Sequence, residues 1–126
     1  MLAAAPSDNI VDSRVGAAGA GELRVARSGG ASVVTRARAA SPLKLLTPAN
    51  HGAAAWIFTS TYGGGLVEGD AIALDTQVGV DASALVSTQA STKIYRSTRV
   101  GARSALTARI DAGALLVLLP DPVVCF

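Results

Sequence analysis

Turn-forming residues interrupt the chain at short intervals from Glu22 onward, and this spacing limits the folds open to it. The segments between the interruptions are short and mostly apolar, a length that suits β-strands and falls short of a typical helix. Residues 87–96 could be drawn as a helix, but the β-branched Thr88, Thr92 and Ile94 favour a strand there too. The sequence therefore predicts an all-β fold of stacked or sandwich-like antiparallel sheets joined by short turns.

Two of the predicted strands can be placed by their residues. Leu23 and Val25 alternate with Arg24 and Ala26 before a Ser-Gly-Gly turn, which predicts a hairpin with residues 32–38. Residues 54–60 contain the only tryptophan of the chain and one of its two phenylalanines. Large apolar side chains contribute the most buried area, so we expect this segment to be a central core strand.

One short segment of the chain recurs. Val-Asp-Ala-Ser-Ala-Leu-Val at residues 80–86 is echoed thirty positions later by Ile-Asp-Ala-Gly-Ala-Leu-Leu at residues 110–116. Such a repeat is typical of stacked β-layers that reuse one turn. Two copies in an Ala-rich chain are equally compatible with two similar hairpin turns, and both interpretations stay open.

Composition excludes several classes of protein. Half of the 126 residues are hydrophobic, too many for a disordered chain, and a net charge of +2 is too small to indicate nucleic-acid binding. A single cysteine, Cys125, and a single histidine, His51, rule out a disulfide within the chain and a local zinc site of the Cys/His type. We expect Cys125 to be a buried, inert thiol.

No segment has the pattern of an export signal or a membrane helix. Residues 1–13 contain no basic residue, and the longest apolar run, residues 112–119, is far shorter than the roughly 20 residues a membrane helix needs. We therefore expect a cytoplasmic protein without a membrane partner. Residues 1–21, rich in Ala, Gly and Ser, are predicted to form a flexible leader ahead of a β domain that begins at Glu22.

The densest feature of the sequence is a glycine-rich loop at residues 62–70. It is a poor phosphate cradle, because its last glycine precedes an aspartate rather than Lys-Ser/Thr, and acidic groups repel phosphate. Glu68 and Asp70 could instead offer oxygen ligands to a divalent cation. A structural turn and a metal or partner contact are the two interpretations of this loop. Glycines of the loop that could serve either are Gly63, Gly64, Gly65 and Gly69.

A polar block at residues 87–98 follows. Lys93 is six residues from Ser87, so the block lacks the Ser-x-x-Lys spacing of a nucleophilic serine. A Ser-His-Asp triad would have to use His51, which lies in an apparent loop, so the sequence does not predict an enzyme. The block is either a polar strand at a sheet edge or an interaction surface. Its candidate partner-binding or structural residues are Thr88, Lys93, Tyr95 and Arg96.

The chain resembles the urease accessory proteins of the UreD/UreH type. Three blocks match in order and spacing, namely residues 56–70, residues 88–97 and residues 113–126. Residues 41–44 resemble an upstream segment of that family. Together these parts cover about three quarters of the chain.

The resemblance implies a mainly β, non-enzymatic protein. It would bind apo-urease and, with the UreF-type and UreG-type accessory proteins, help deliver nickel to the urease active site. GTP hydrolysis in that family belongs to the UreG-type partner, and no tightly bound cofactor or nucleic acid is implied. Asp70 falls on the acidic end of the family's glycine motif and could relay nickel weakly, with Glu68 beside it. A β-sheet interaction module without a metal role is the alternative.

Two departures and one length difference set this chain apart from the family pattern. Glu68 replaces what is commonly glycine, and Cys125 stands where the family often has proline. The family domain is roughly twice as long as this chain. Residues 22–126 are therefore expected to be the N-terminal part, about half, of a UreD-like β domain that is incomplete here. The unalternated apolar segment 115–119 would then need cover on both faces.

Overall fold

Ten β-strands and one short 3-10 helix make up residues 17–126, the part of the chain that a computed structural model describes. The all-β prediction is confirmed. Most of the predicted leader lies outside the described residues, although strand β1 already includes Ala20 and Gly21. The elements are β1 (Ala20–Ser28), β2 (Ala31–Ala39), β3 (Leu43–Leu46), β4 (Ala55–Thr61), the 3-10 helix (Tyr62–Gly64), β5 (Ala71–Val78), β6 (Ser83–Thr88), β7 (Thr92–Ile94), β8 (Arg103–Ile110), β9 (Leu115–Leu119) and β10 (Val123–Cys125).

The strands form three sheets. The first sheet has the order β2-β1-β5-β8, the second has the order β3-β4-β6-β9, and a third consists of β7 and β10. From β5 onward the chain visits the first, second and third sheets in turn and then repeats the circuit with β8, β9 and β10. The fold is therefore a stack of β-layers in which each circuit lies beside the one before it.

This circuit corrects the prediction of antiparallel sheets. Among the described strands, only β1–β2 and β3–β4 pair antiparallel, as hairpins, whereas the other five pairings are parallel. Strands one circuit apart run in the same direction because the chain completes a full turn between them. Turn residues mark where a strand ends but do not say which sheet receives the next strand, so the sequence pattern could not separate the two arrangements.

The recurring segment is a true structural repeat with a shifted register. Val78 pairs with Ile110 and Ser83 pairs with Leu115, an offset of 32 positions rather than the thirty of the sequence echo. A difference of two positions keeps every side chain on the same face, because side chains alternate with a period of two. Of the two open interpretations, stacked layers are confirmed.

The core lies between the first and second sheets. Leu23, Ile57 and Val78 are fully buried. Several core positions are small, so the stacked layers can approach closely. The remaining buried hydrophobic residues are Val25, Leu43, Ala55, Leu66, Ile72, Leu74, Ala82, Ala84 and Val86.

Strand β4 is central, as predicted, but its aromatic residues do not face the core. It lies between β3 and β6 and buries Ile57. Trp56 and Phe58 alternate to the other face and are half-buried. The ring of Trp56 lies 5.2 Å from that of His51 and 6.4 Å from that of Phe58. The tryptophan therefore belongs to an outer aromatic cluster rather than to the core.

The last circuit is exposed. All of β8 and β10 and most of β9 are open to solvent, including Leu115 and Leu119 at 57% and 60% exposure. The unalternated segment 115–119 therefore has little cover among the described residues. Cys125 is exposed, which corrects the expectation of a buried thiol, because β10 has β7 on one side and no described strand on the other.

Candidate functional site

The glycine-rich loop and the polar block, separated in sequence, lie against each other. The Leu66 N–H donates to the Lys93 carbonyl over 2.8 Å, and the Tyr95 N–H donates to the Leu66 carbonyl over 3.0 Å. These two bonds form an isolated parallel bridge between Leu66 and Ile94. Two of the blocks that carry the family resemblance therefore build one surface.

The contact requires a glycine at position 65. Gly65 has a φ of +152°, and a Cβ there would lie 2.7 Å from the Lys93 carbonyl oxygen and 2.9 Å from the Tyr95 ring. Gly63 and Gly64 also have positive φ, at +77° and +78°, but no atom of residues 17–126 lies within 4 Å of a Cβ built on them. Gly65 thus allows the two segments to approach, while its neighbours only shape the 3-10 helix and the loop.

Glu68 binds the loop that leads into β8. Its Oε1 accepts hydrogen bonds from the backbone N–H groups of Arg99, over 2.7 Å, and Val100, over 2.8 Å. These bonds favour the charged carboxylate, so the pKa of Glu68 lies below its ordinary value. The residue that departs from the family pattern therefore has a structural partner in this chain.

Asp70 closes the end of the glycine-rich loop. Its Oδ2 accepts a hydrogen bond from the Val67 N–H over 2.9 Å, and its own N–H donates to the Val67 carbonyl over 3.0 Å. The Asp70 carbonyl accepts from the Arg103 N–H over 2.9 Å at the start of β8. Gly69, with a φ of +85°, allows the tight turn between Val67 and Asp70.

The polar block is divided among three structural settings. Thr88, at the end of β6, donates through Oγ1 to Asp121 Oδ2 over 3.0 Å and accepts from the Asp121 N–H over 2.8 Å. Tyr95, just after β7, stacks on Phe126 with ring centroids 5.7 Å apart. Lys93 and Arg96 are exposed. The block is therefore not one edge strand, since only its middle forms β7 in the two-stranded sheet.

A cavity of about 480 Å³ opens between the sheets next to this surface. Its lining includes Gly64, Thr88 and Lys93 from the predicted residues, whereas Glu68 and Asp70 are not part of it. Among the described residues, Asp121 is the one acidic residue of the lining, and the sequence analysis does not select it. In the sequence, Asp121 is indicated only by its position in Leu-Pro-Asp, residues 119–121, within the third block that resembles the family. Most of the cavity surface is apolar, and the hydroxyl groups in its lining come from Thr59, Ser60, Thr61, Ser87, Thr88, Ser91, Thr92 and Ser104.

The described residues offer few metal ligands at any one place. Within residues 17–126, no group of three or more His, Cys, Asp or Glu side chains is arranged to hold a metal ion. The same range contains no helix long and apolar enough to cross a membrane. The candidate site consists of two carboxylates in hydrogen-bonded turns, a set of exposed cations and a mostly apolar cavity with several hydroxyl groups in its lining.

Comparison with known proteins identifies the family. The model of the family described as UreD urease accessory protein matches residues 17–126. Among curated relatives, a urease accessory protein UreD of Sorangium cellulosum is 58% identical over 90% of this chain and 36% of its own length. One of Anaeromyxobacter is 52% identical over 86% of this chain and 37% of its own length. A urease accessory protein D of Oryza sativa subsp. indica is 44% identical over 87% of this chain and 38% of its own length.

The chain thus spans a little over a third of the length of these relatives, less than the half expected from the resemblance. The match covers every residue that the structure describes. It therefore includes the glycine-rich loop, the polar block and the final strands that together build the site. The chain belongs to the UreD urease accessory protein family.

Proposed function

We propose that this protein acts in urease maturation as a non-enzymatic scaffold that binds apo-urease and assists the delivery of nickel to the urease active site. The observation that carries this proposal is the family match over residues 17–126, with relatives whose names state a role as urease accessory proteins. UreF-type and UreG-type accessory proteins are its further partners, and the cytoplasm is its place of action.

Asp70, with Glu68 beside it, is the proposed point of contact with nickel. Each carboxylate uses an oxygen for backbone N–H groups, and these bonds fix its position on the surface. A single carboxylate oxygen binds a divalent cation weakly, because hard-oxygen sites for such ions recruit several ligands. Weak contact suits an ion that must be released to the next protein.

The direct test is co-purification. The tagged protein is mixed with purified apo-urease, with and without a UreF-type protein, and the eluted fractions are examined for urease subunits. The proposal expects urease subunits to co-elute with the tagged protein and not with a tag-only control. Absence of association under both conditions would contradict it.

A β-sheet interaction module without a metal role is the second candidate. One observation favours it: the atoms Glu68 Oε1 and Asp70 Oδ2 are both engaged in hydrogen bonds that hold loops together. Calorimetric titration with nickel separates the two candidates. Heat of binding that is reduced in Asp70→Ala and in Glu68→Gln supports the nickel relay. Identical isotherms without binding heat in the wild type and both variants favour the module.

A further inference from the structure

We infer that the outer face of the second sheet is the contact between two copies of this chain, which pack face to face as a twofold-symmetric dimer. Six apolar side chains that point away from the core define this outer face: Leu46, Trp56, Phe58, Leu85, Val117 and Leu119. The inference concerns the assembly of the chain itself and does not rest on the proposed role in urease maturation.

The register of the second sheet aligns these side chains in two rows that run across its strands. The first row consists of Trp56, Leu85 and Val117, and the second consists of Leu46, Phe58, Ser87 and Leu119. Residues two apart on a strand point to the same face, so the two rows are neighbours. The residues between the rows, such as Ile57 and Val86, are buried on the core side. The two rows therefore form one contiguous face, and neither contains a charged residue.

The outer face of the first sheet has the opposite character. There the Glu22 carboxylate accepts hydrogen bonds from Arg24 and Arg36. The charged residues that the register places on that face are Glu22, Arg24, Arg36, Arg38, Asp75 and Arg109. A charged sheet face is suited to water, whereas an apolar face is suited to contact with another surface. Val117 and Leu119, at 37% and 60% exposure, present such a surface.

The one polar member of the two rows can be covered at little cost. Ser87 Oγ donates a hydrogen bond to the Leu119 carbonyl over 2.6 Å. A buried hydroxyl group that keeps its partner avoids most of the penalty of losing water. The face therefore needs no polar group opposite it, which favours an apolar surface as its occupant over a charged one.

A second copy supplies an apolar surface of the right shape. A twofold axis parallel to the strands, between β4 and β6, places β4 of one copy over β6 of the other and β3 over β9. Phe58 then lies over Ser87 of the second copy, Trp56 lies over Leu85, and Leu46 lies over Leu119. The aromatic side chains of β4 thus meet smaller side chains of β6, and the strands of the two sheets stay aligned as in a β-sandwich.

The face is also large enough for a stable contact. It is four strands wide, and β4 has seven residues. With strands about 4.8 Å apart and a rise of about 3.3 Å per residue, its outline measures roughly 19 Å by roughly 20 Å. Side chains stand out from the sheet, so the accessible area buried on two copies exceeds their two outlines and reaches the roughly 1,000 Å² of a specific interface.

The test is the mass of this chain in solution, measured by light scattering after size-exclusion chromatography over a range of micromolar concentrations. The wild type is expected at twice the mass of the chain, and Val117→Lys is expected to raise the dissociation constant about tenfold or more. Leu118→Lys is the matched control, because it adds the same charge at the next residue of β9. Leu118 is 44% exposed, pairs with Val86 and lines the cavity, so it points away from the outer face. Equal melting temperatures show that both variants are folded.

Cross-linking tests the orientation of the two copies. In a Cys125→Ser background, Leu46→Cys and Leu119→Cys proteins are oxidised separately and as a mixture. The dimer predicts a disulfide in the mixture, because the twofold axis places position 46 of one copy over position 119 of the other. Each variant alone should remain uncross-linked, since two equivalent positions lie roughly three strand spacings, or about 14 Å, apart.

A monomeric wild type would overturn the inference. So would a dimer that Val117→Lys and Leu118→Lys weaken equally, or one that cross-links as readily in either cysteine variant alone as in the mixture. A monomer whose co-purification with apo-urease is lost in Val117→Lys but not in Leu118→Lys would assign the outer face to that partner instead. Each of these results leaves the proposed function to its own test.

Discussion

Asp81 and Gly113 occupy the same position in two stacked turns, one circuit of the chain apart. Both have left-handed backbone conformations, with φ of 58° and +69°. The Ala82 N–H closes the first turn on the Gly79 carbonyl over 3.0 Å, and the Ala114 N–H closes the second on the Asp111 carbonyl over 3.1 Å. A Cβ on Gly113 would meet the Asp81 carboxylate. The two layers therefore use the same kind of turn. The Asp81 side chain of the first turn restricts position 113 of the second turn to glycine.

The first prediction concerns this pair of turns. Gly113→Ala should lower the free energy of unfolding by about 2 kcal/mol, since it adds a left-handed alanine and a contact with the Asp81 carboxylate. Asp81→Gly removes both the non-glycine left-handed residue and the obstructing side chain. Urea unfolding of the two single variants and the double variant should show that Gly113→Ala costs less when Asp81 is glycine. Purely additive effects would contradict the stacked-turn geometry.

A second prediction isolates the close approach at Gly65. Gly65→Ala should destabilise the protein by about 2 kcal/mol or more, because its Cβ would lie within 3 Å of the Lys93 backbone and the Tyr95 ring. Gly64→Ala is the matched control: it has positive φ but open space, so its cost should be about 1 kcal/mol. Hydrogen exchange at the Leu66 and Tyr95 amides should accelerate only in Gly65→Ala. Equal exchange rates in both variants would show that the bridge does not depend on Gly65.

The third prediction contrasts two buried hydroxyl groups. Thr76 is 1% exposed and its Oγ1 has no hydrogen-bond partner among residues 17–126, so Thr76→Val should stabilise the protein by about 1 kcal/mol. Ser32 is equally buried, but its Oγ accepts the Ser83 N–H over 2.8 Å and ties the two sheets together. Ser32→Ala should therefore destabilise by about 1 to 2 kcal/mol. Chemical denaturation measures both, and a loss of stability in Thr76→Val would contradict the assignment of an unpaired hydroxyl.

The fourth prediction is the acid sensitivity of Glu22. This residue is 5% exposed, and its carboxylate accepts bonds from Arg24 Nε over 2.7 Å and Arg36 Nη1 over 3.3 Å. Burial raises the pKa of Glu22, but the hydrogen bonds and positive charges of the two arginines lower it by more. The pKa of Glu22 therefore lies below its ordinary value.

A lowered folded-state pKa means that Glu22 stabilises the fold above the pKa of the unfolded chain, about 4.3, and that this contribution is lost as the pH falls through the folded-state pKa. Urea unfolding from pH 7 to pH 3 should show a decline that is shallower in Glu22→Gln. Glu68, whose pKa is also lowered, contributes a decline of the same sign in both proteins. Parallel curves for the two proteins would exclude the Glu22 contribution.

The fifth prediction separates charge from structure at Asp70. Asp70→Asn keeps an oxygen that can accept the Val67 N–H bond but removes the negative charge, whereas Asp70→Ala removes both. If Asp70 contacts nickel, Asp70→Asn should retain the melting temperature and lose most urease activation. A proportionate loss of stability and activation in the two variants would assign Asp70 to structure alone.

The sequence predicted the strand content but not the path of the chain. Alternation at Leu23 and Val25 and the Ser-Gly-Gly turn were enough for the first hairpin, which β1 and β2 form with a register shift between Arg24 and Val25. The parallel pairing of β5 with β8 could not be predicted, because alternation determines faces and not partners. The repeat at residues 80–86 was the best signal for it, although the layers pair two positions away from the sequence match.

The geometry of the candidate site could be predicted only in part, for a similar reason. The glycine-rich loop and the polar block were selected by composition, but their contact depends on the bridge between Leu66 and Ile94, which links residues far apart in the chain. Asp121 reaches the cavity only because β9 ends beside Thr88. The hydrogen bonds of Glu68 with the loop before β8 could not be predicted either. Their donors are backbone N–H groups, which nearly every residue type carries, so the sequence does not indicate which of them Glu68 binds.

Urease activation in a purified system tests the central claim most directly. Apo-urease, nickel and the UreF-type and UreG-type proteins with GTP are incubated with or without this protein, and ammonia release from urea is measured. The account predicts that active urease accumulates with the wild-type protein well above the level without it. The same activity with and without the folded protein would contradict a role in urease maturation.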